Sequence, residues 1–260
     1  MDIITMLLKA SAVIFCYMTL LFIIAQILKD NSIADIAWGF GFILAAAAVL
    51  IAQGDFATRQ LLVTALVAVW GVRLSVRIFL RNRGRGEDWR YKNWRREWGR
   101  WFVVRSYLQV FILQGVILIV NVSPVLIINT TGNTRLTILD AMGILVWLLG
   151  FFFEAVGDRQ LDRFIKNPDS RGKILDTGLW RYSRHPNYFG EITMWWGIYL
   201  IALSAPWGWV GFVGPLLITL MIVFVSGVPM TEREMEKNPL FAPYRERTSV
   251  LIPWLPKKNV

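Results

Sequence analysis

The segment Ser183-Arg184-His185-Pro186-Asn187-Tyr188-Phe189-Gly190-Glu191-Ile192 carries the only histidine of the chain. A guanidinium, an imidazole, an amide and a carboxylate follow one another where a basic stretch enters an apolar one. Pro186 suits the first turn of a helix, because the N–H it lacks is one that a helix start leaves unpaired anyway. From there Asn187, Glu191 and Trp195 recur at i, i+4 and i+8, so they share one helix face. A carboxylate one turn inside an apolar segment is costly to bury idle. The bland reading is a capped helix with a satisfied glutamate. The convergence of His185, Asn187 and Glu191 on one helix start favours a site for an anionic cofactor.

Three other stretches hold groups with chemical use. In Asn82-Arg83-Gly84-Arg85-Gly86-Glu87-Asp88-Trp89-Arg90-Tyr91 two glycines allow the backbone to turn, and the flanking guanidiniums can grip phosphate oxygens in pairs. The same residues also read as an ordinary basic loop with a glycine turn. Between 154 and 173, which also holds Lys166 and Lys173, Glu154, Asp158 and Asp162 fall at i, i+4 and i+8 on one helix face, with Arg159 and Arg163 as candidate ionic partners. That row could accept ribose hydroxyls or could simply pair with the arginines. The tail from Glu232 and Arg233 to Pro253-Trp254 mixes charges with spaced aromatics, as an interfacial segment or a flap would. Asp35 opens an apolar segment, and an ion pair with Arg73 would neutralise both.

These groups must be positioned by a mostly hydrocarbon chain. It has 260 residues, 55% of them hydrophobic, with 13 Trp and 16 Phe. Seven apolar segments, about 4–28, 33–52, 60–80, 106–128, 137–157, 187–204 and 209–228, approach bilayer-spanning length. The expected fold is therefore all-α: a polytopic membrane protein of about seven transmembrane helices, a single domain over 1–260. The first segment has no convincing cleavage site and reads as a retained span. Nine Lys and Arg lie in 81–105, seven in 158–186 and six in 229–260, against one each in 53–59 and 129–136. Seven spans put the three basic regions on one side. The positive-inside bias makes that side cytoplasmic, with the C-terminus there and the N-terminus outside. The net charge of +10 then orients the chain and meets anionic membrane lipids; no nucleic-acid partner is expected. One cysteine, Cys16, and one histidine exclude an intramolecular disulfide and a Cys/His metal centre. No Gly-rich dinucleotide fingerprint, P-loop or Ser-His-Asp arrangement is recognisable. Asn129-Thr130-Thr131 matches a glycosylation triplet.

The chain resembles the bacterial integral-membrane proteins related to the steroid 5α-reductase C-terminal domain. The resemblance is strongest from Asp158 to Trp195, through Gly178-Leu179-Trp180-Arg181-Tyr182-Ser183-Arg184-His185-Pro186-Asn187-Tyr188-Phe189-Gly190-Glu191. The phrase Asn82-Arg83-Gly84-Arg85 and the ending Leu251-Ile252-Pro253-Trp254 also fit. It implies a reductase of a bacterial inner membrane that binds NADPH in a site formed by the cytoplasmic loops 81–105 and 158–186 and the tail 229–260. Asn82, Arg83, Arg85, Asp158, Tyr182, Asn187, Glu191 and Trp195 would line the cofactor. Arg163, Lys173, Arg184, His185 and Arg233 are polar residues of the same loops and join them as weaker matches.

The implied substrate is a lipophilic enone entering from the bilayer, for which a 3-oxo-Δ4-steroid is one candidate. Its C=C bond would be reduced by hydride transfer. The chain departs from steroid reductases where they place a Tyr on the third span and a Glu on the second. Gly71 and Asp35 stand there instead. Asp35 is the candidate replacement acid and Glu191 the second catalytic candidate. Arg184 to Gly190 also resembles the Arg-His-Pro-x-Tyr-x-Gly pattern of isoprenylcysteine carboxyl methyltransferases, whose cofactor is S-adenosylmethionine. The Arg-Gly-Arg loop favours a polyphosphate cofactor over that one. A third reading is a membrane protein without enzymatic activity whose basic loops bind lipid head groups.

Overall fold

The computed structural model describes residues 3–132 and 135–257; Asn133 and Thr134 of the 129–136 stretch and Lys258 of the basic tail lie outside the described residues. Regular structure among the described residues is entirely helical: α1 (Ile3–Leu28), α2 (Ile33–Gln53), α3 (Thr58–Asn82), α4 (Trp89–Trp98), α5 (Phe102–Ser106), α6 (Leu113–Asn121), α7 (Ser123–Thr130), α8 (Ile138–Lys166), α9 (Pro186–Ala202), α10 (Val213–Leu220), α11 (Val228–Met235) and α12 (Phe241–Arg247). Among the described residues, six helices or helical runs are long and apolar enough to cross a membrane: Ile3–Leu28, Ile33–Gln53, Thr58–Asn82, Trp89–Asn121, Ile138–Lys166 and Gly208–Met235. The protein is a multi-pass membrane protein. The remaining expected segment, 187–204, is α9. Its 17 residues rise about 25 Å at 1.5 Å per residue, short of the roughly 30 Å hydrocarbon core.

Two runs expected as plain helices are interrupted. The fourth contains a π turn over Tyr107–Ile112 and a second break at Val122, where Pro124 opens α7 in the helix-start position it tolerates. The last contains a π turn over Met221–Val225.

The chain forms two compact units, Met1–Thr137 with Ala202–Gly214, and Ile138–Ile201 with Pro215–Val260. In the first, α2 and α3 cross at Gly39 and Gly71. A Cβ on Gly71 would lie 2.6 Å from the Gly39 carbonyl oxygen. The absence of a side chain at Gly71 is thus a packing requirement, and a tyrosine there would force the two helices apart. Polar side chains key α7 to this pair. Gln60 accepts the Ala57 N–H and donates to the carbonyls of Asn129 and Thr131; Asn129 donates to the Ala46 carbonyl and to Thr64 Oγ1. Asn129 is fully buried. The glycosylation triplet is therefore structural: its amide is spent inside the fold.

In the second unit α8 and α9 run antiparallel along a glycine seam. Gly143, Gly150 and Gly157 recur every seven residues on α8, and Gly190 and Gly197 do the same on α9. A Cβ on Gly143 would stand 2.6 Å from the Gly197 carbonyl oxygen, and one on Gly150 would stand 2.6 Å from the Gly190 oxygen. At the end of the seam a Cβ on Gly157 would lie 3.3 Å from the Asn187 backbone nitrogen. Small residues at a membrane-helix interface let backbones approach and gain dispersion contacts that lipid cannot supply better.

Adding a methyl to this seam must separate backbone from backbone. Gly150→Ala and Gly190→Ala are each expected to destabilise the protein by about 1–3 kcal/mol. Gly132→Ala, where nothing closer than 3.9 Å would be met, should be neutral. Thermal denaturation in detergent compares the three.

Candidate functional site

The seam delivers Asn187 to α8. Its amide nitrogen donates to Asp158 Oδ1 at 3.1 Å. Its amide oxygen is buried and has no hydrogen-bond partner. Asp158 is itself buried, one turn beyond Glu154, which is buried too. Glu191 is partly buried and Trp195 almost wholly so. The i, i+4, i+8 stripe is thus realised on α9, and its first member meets the second member of the α8 carboxylate row. The stretch before α9 is docked on α8 as well. Gln160 Oε1 accepts the Leu179 N–H at 3.0 Å, and Trp180 Nε1 donates to the Gly157 carbonyl at 3.0 Å.

The tail clasps that same stretch. Arg184 Nε donates to Glu232 Oε1 at 2.8 Å, and its Nη1 donates to the carbonyls of Arg245 and Thr248 at 3.0 and 2.7 Å. His185 Nε2 lies 3.1 Å from the same Glu232 oxygen, and its ring stacks on Tyr188. Tyr244 donates to the Trp180 carbonyl at 2.6 Å, Ser183 donates to the Leu251 carbonyl, and the Trp254 N–H bonds the Tyr182 carbonyl. Burial pushes the Tyr244 hydroxyl above its ordinary pKa, so it donates at any physiological pH. Arg184 and His185 therefore hold the tail, a use that the sequence expectation of cofactor contacts did not include. Glu232, missed as a site residue, is the hub. Its signal was its place in the charged tail, which carried no spacing relative to Arg184. Arg163, Lys173 and Arg233 are exposed, and Tyr182 is 38% exposed.

A separate polar cluster occupies the first unit. Asp35, in the first turn of α2, accepts Arg90 Nη2 at 2.5 Å on one oxygen and the Tyr91 hydroxyl at 2.8 Å on the other. The ion pair seen at Asp35 is thus made by α4, where the sequence had suggested Arg73. Arg90 also donates through its Nε and its backbone to Asp88, the α4 N-cap. Burial raises the Asp88 carboxyl. The hydrogen bonds and charge of Arg90, with the charge of Arg81, outweigh that and hold it below the usual carboxylate range. Asp88 donates its N–H to Ser32, and Glu87 accepts the Asn31 N–H and both Nε and Nη2 of Arg95.

The 82–91 loop is therefore stapled at its acidic end to the α1–α2 turn. Its basic end is left open. Gly84 and Gly86 take positive φ of 78° and 69°, Arg83 and Arg85 are exposed, and the Asn82 amide nitrogen is a buried donor without a partner. Tyr91 and Arg90 were quoted within the loop motif, but no sequence spacing joined them to Asp35.

Helices of this length, glycine-seamed and carrying polar clusters where charged loops meet the spans, define an all-helical membrane protein built around buried amides and carboxylates. The chain belongs to the family described as "Protein of unknown function (DUF1295)", which matches residues 21–248. It is 27% identical over 234 residues, 77% of this chain, to the uncharacterized protein C594.04c of Schizosaccharomyces pombe. Over 70 residues, 27% of this chain, it is 36% identical to the steroid 5-alpha-reductase DET2 of Gossypium hirsutum. Over 113 residues, 44% of this chain, it is 32% identical to the 3-oxo-5-alpha-steroid 4-dehydrogenase 1 of Mus musculus. These matches span 65%, 26% and 41% of the relatives' own lengths. All three relatives are eukaryotic. No solved structure matches the chain at a comparable level. The similarity to steroid 5-alpha-reductases is distant and partial.

Removing Glu232 leaves the Arg184 guanidinium, 9% exposed, without its carboxylate. Breaking a buried pair in this way costs about 3–5 kcal/mol. Glu232→Ala is expected to free the tail, read as faster limited proteolysis between 236 and 257. Glu234→Ala, which removes an exposed pair with Lys237, should leave the cleavage rate unchanged.

Proposed function

We propose that the protein is an NADPH-dependent membrane reductase acting on the C=C bond of a lipophilic enone, with a 3-oxo-Δ4-steroid as one candidate substrate. The observation that carries this reading is Asn187, whose buried amide is oriented by Asp158 and keeps an oxygen open. A buried acceptor without a donor costs free energy unless a ligand supplies one. A carboxamide N–H or a ribose hydroxyl would. In the first unit the open Asn82 donor beside the exposed Arg83 and Arg85 suits phosphate oxygens. Each unit, taken by itself, thus offers groups of a kind that a phosphorylated dinucleotide uses.

When bound, that cofactor supplies a hydride. The chain supplies the rest. Arg83 and Arg85 grip phosphate through paired N–H groups, and Asp158 fixes which way the Asn187 amide points. Glu191 and Trp195, on the same face of α9, bound the reacting end and exclude water from it. Asp35 is proposed as the acidic group that assists the substrate carbonyl. Both its oxygens are occupied, by Arg90 and by the Tyr91 hydroxyl, so one of these partners would have to give way for the substrate carbonyl to be met. The basic loops are taken as cytoplasmic, with α9 as a seventh, shorter crossing that puts the N-terminus outside. The cofactor then arrives from the cytoplasm and the substrate from the bilayer.

A methyltransferase is the second reading. Its observation is that Arg184 and His185, which open the stretch resembling that class, both meet Glu232 of the tail. Mass spectrometry of the small molecule released on denaturing gently purified protein decides between them. NADP(H) is the expected result; S-adenosylmethionine or S-adenosylhomocysteine would overturn the reductase. Asn187→Ala and Arg85→Ala should each weaken NADPH binding about tenfold or more while leaving the melting temperature of the unliganded protein near the parent value. Unchanged binding in both folded variants would sink the site assignment.

A further inference from the structure

The run Trp89–Asn121 carries a second basic feature that the proposed reaction does not use. It contains six cations, Arg90, Lys92, Arg95, Arg96, Arg100 and Arg105, against one carboxylate, Glu97. Arg90 and Arg95 are committed to Asp35, Asp88 and Glu87. Among the described residues no carboxylate is ion-paired with Arg96, Arg100 or Arg105, and all three are exposed. Two of them lie over tryptophans: the Arg100 guanidinium carbon is 5.7 Å from the Trp101 ring centre, and that of Arg105 is 6.0 Å from Trp98.

The position of Arg105 is informative. It sits one turn further into the apolar run than Trp101, between Val104 and Leu108, both about half exposed. Its side chain nevertheless reaches back to Trp98, seven residues earlier. A long basic side chain on a lipid-facing helix does this to bring its charge up to headgroup level. Gly99, with φ of 48°, ends α4 just there, so the cations of α4 and the foot of the span are separate elements. Trp101, 56% exposed, marks the same level, as interfacial tryptophans do. Charge without counter-charge, aromatic rings at the rim and an aliphatic face below match the phosphodiester, glycerol and acyl regions of one molecule.

We propose that Arg96, Arg100 and Arg105 bind the phosphodiester of an anionic phospholipid whose acyl chain lies along Val104 and Leu108. The site is independent of the reductase reading and holds whichever cofactor the protein uses. Glu97, exposed beside Arg96, disfavours a second negative group on the lipid and points to a singly charged headgroup.

The test is native mass spectrometry of the full chain from nanodiscs holding equal phosphatidylglycerol and phosphatidylcholine. The parent protein should retain phosphatidylglycerol at least about tenfold over phosphatidylcholine, since each arginine at an anionic surface contributes roughly fivefold. Arg100→Gln with Arg105→Gln should bring retention of the two close to parity. Equal retention by the parent overturns the proposal without any variant, so a double variant that fails to fold does not shelter it. Preference surviving in a folded double variant overturns the assignment to these arginines. Millimolar inorganic phosphate should not displace the lipid; if it does, the arginines form a free-anion site and the acyl contact is wrong.

Discussion

Everything in the second unit hangs on backbone meeting backbone between α8 and α9. Five glycines remove the side chains that would otherwise hold the helices apart, and in the bilayer there is no hydrophobic force to draw them together. What remains is dispersion between closely fitted surfaces, which falls off within an ångström. The register follows from the seven-residue repeat on both helices. Once Gly143 meets Gly197 and Gly150 meets Gly190, Asn187 has no choice but to face the end of α8. The polar site is thus a by-product of apolar packing: Asp158 and Asn187 are held in contact by residues that have no chemistry of their own.

The first unit solves a different problem. Charges at the end of apolar helices must be neutralised locally, and α4 does this for α2. Arg90 bridges Asp35 and Asp88, Tyr91 takes the other Asp35 oxygen, and Glu87 binds Arg95 and the α1–α2 turn. Each ion is paired and hydrogen-bonded, which is the condition under which partly buried charges are tolerated. The network anchors the loop at one end and leaves Arg83 and Arg85 free at the other.

The spans were legible because hydrophobic length is a one-dimensional property. The α9 stripe was legible because a helix start at Pro186 sets its phase. The interruptions were not. Nothing in Tyr107–Ile112 marks a π turn, since an extra residue in a turn leaves composition unchanged. The seam was overlooked although its period is written in the sequence, because glycine in an apolar segment reads as weak helix and its packing partner is known only once two helices are paired. Asn129 shows the limit of a local pattern: the glycosylation triplet is legible in three residues, whereas the burial of Asn129 against Ala46 and Thr64 depends on a fold that no triplet encodes. Arg184 and His185 stand out by residue type, but their partner, Glu232, lies 48 and 47 residues away.

The clasp of the tail around residues 178–185 also has a consequence in time. The carbonyls that receive Arg184 belong to Arg245 and Thr248, and the N–H that closes on Tyr182 belongs to Trp254. A ribosome adding about 5–20 residues per second delivers those partners several seconds after the stretch they bind. During that interval α8 and α9 can already be seated in the lipid, while the segment between them waits with its arginine uncompensated. The tail is made after the stretch whose polar groups it completes, so a nascent chain passes through a stage that is inserted and helical yet unlocked.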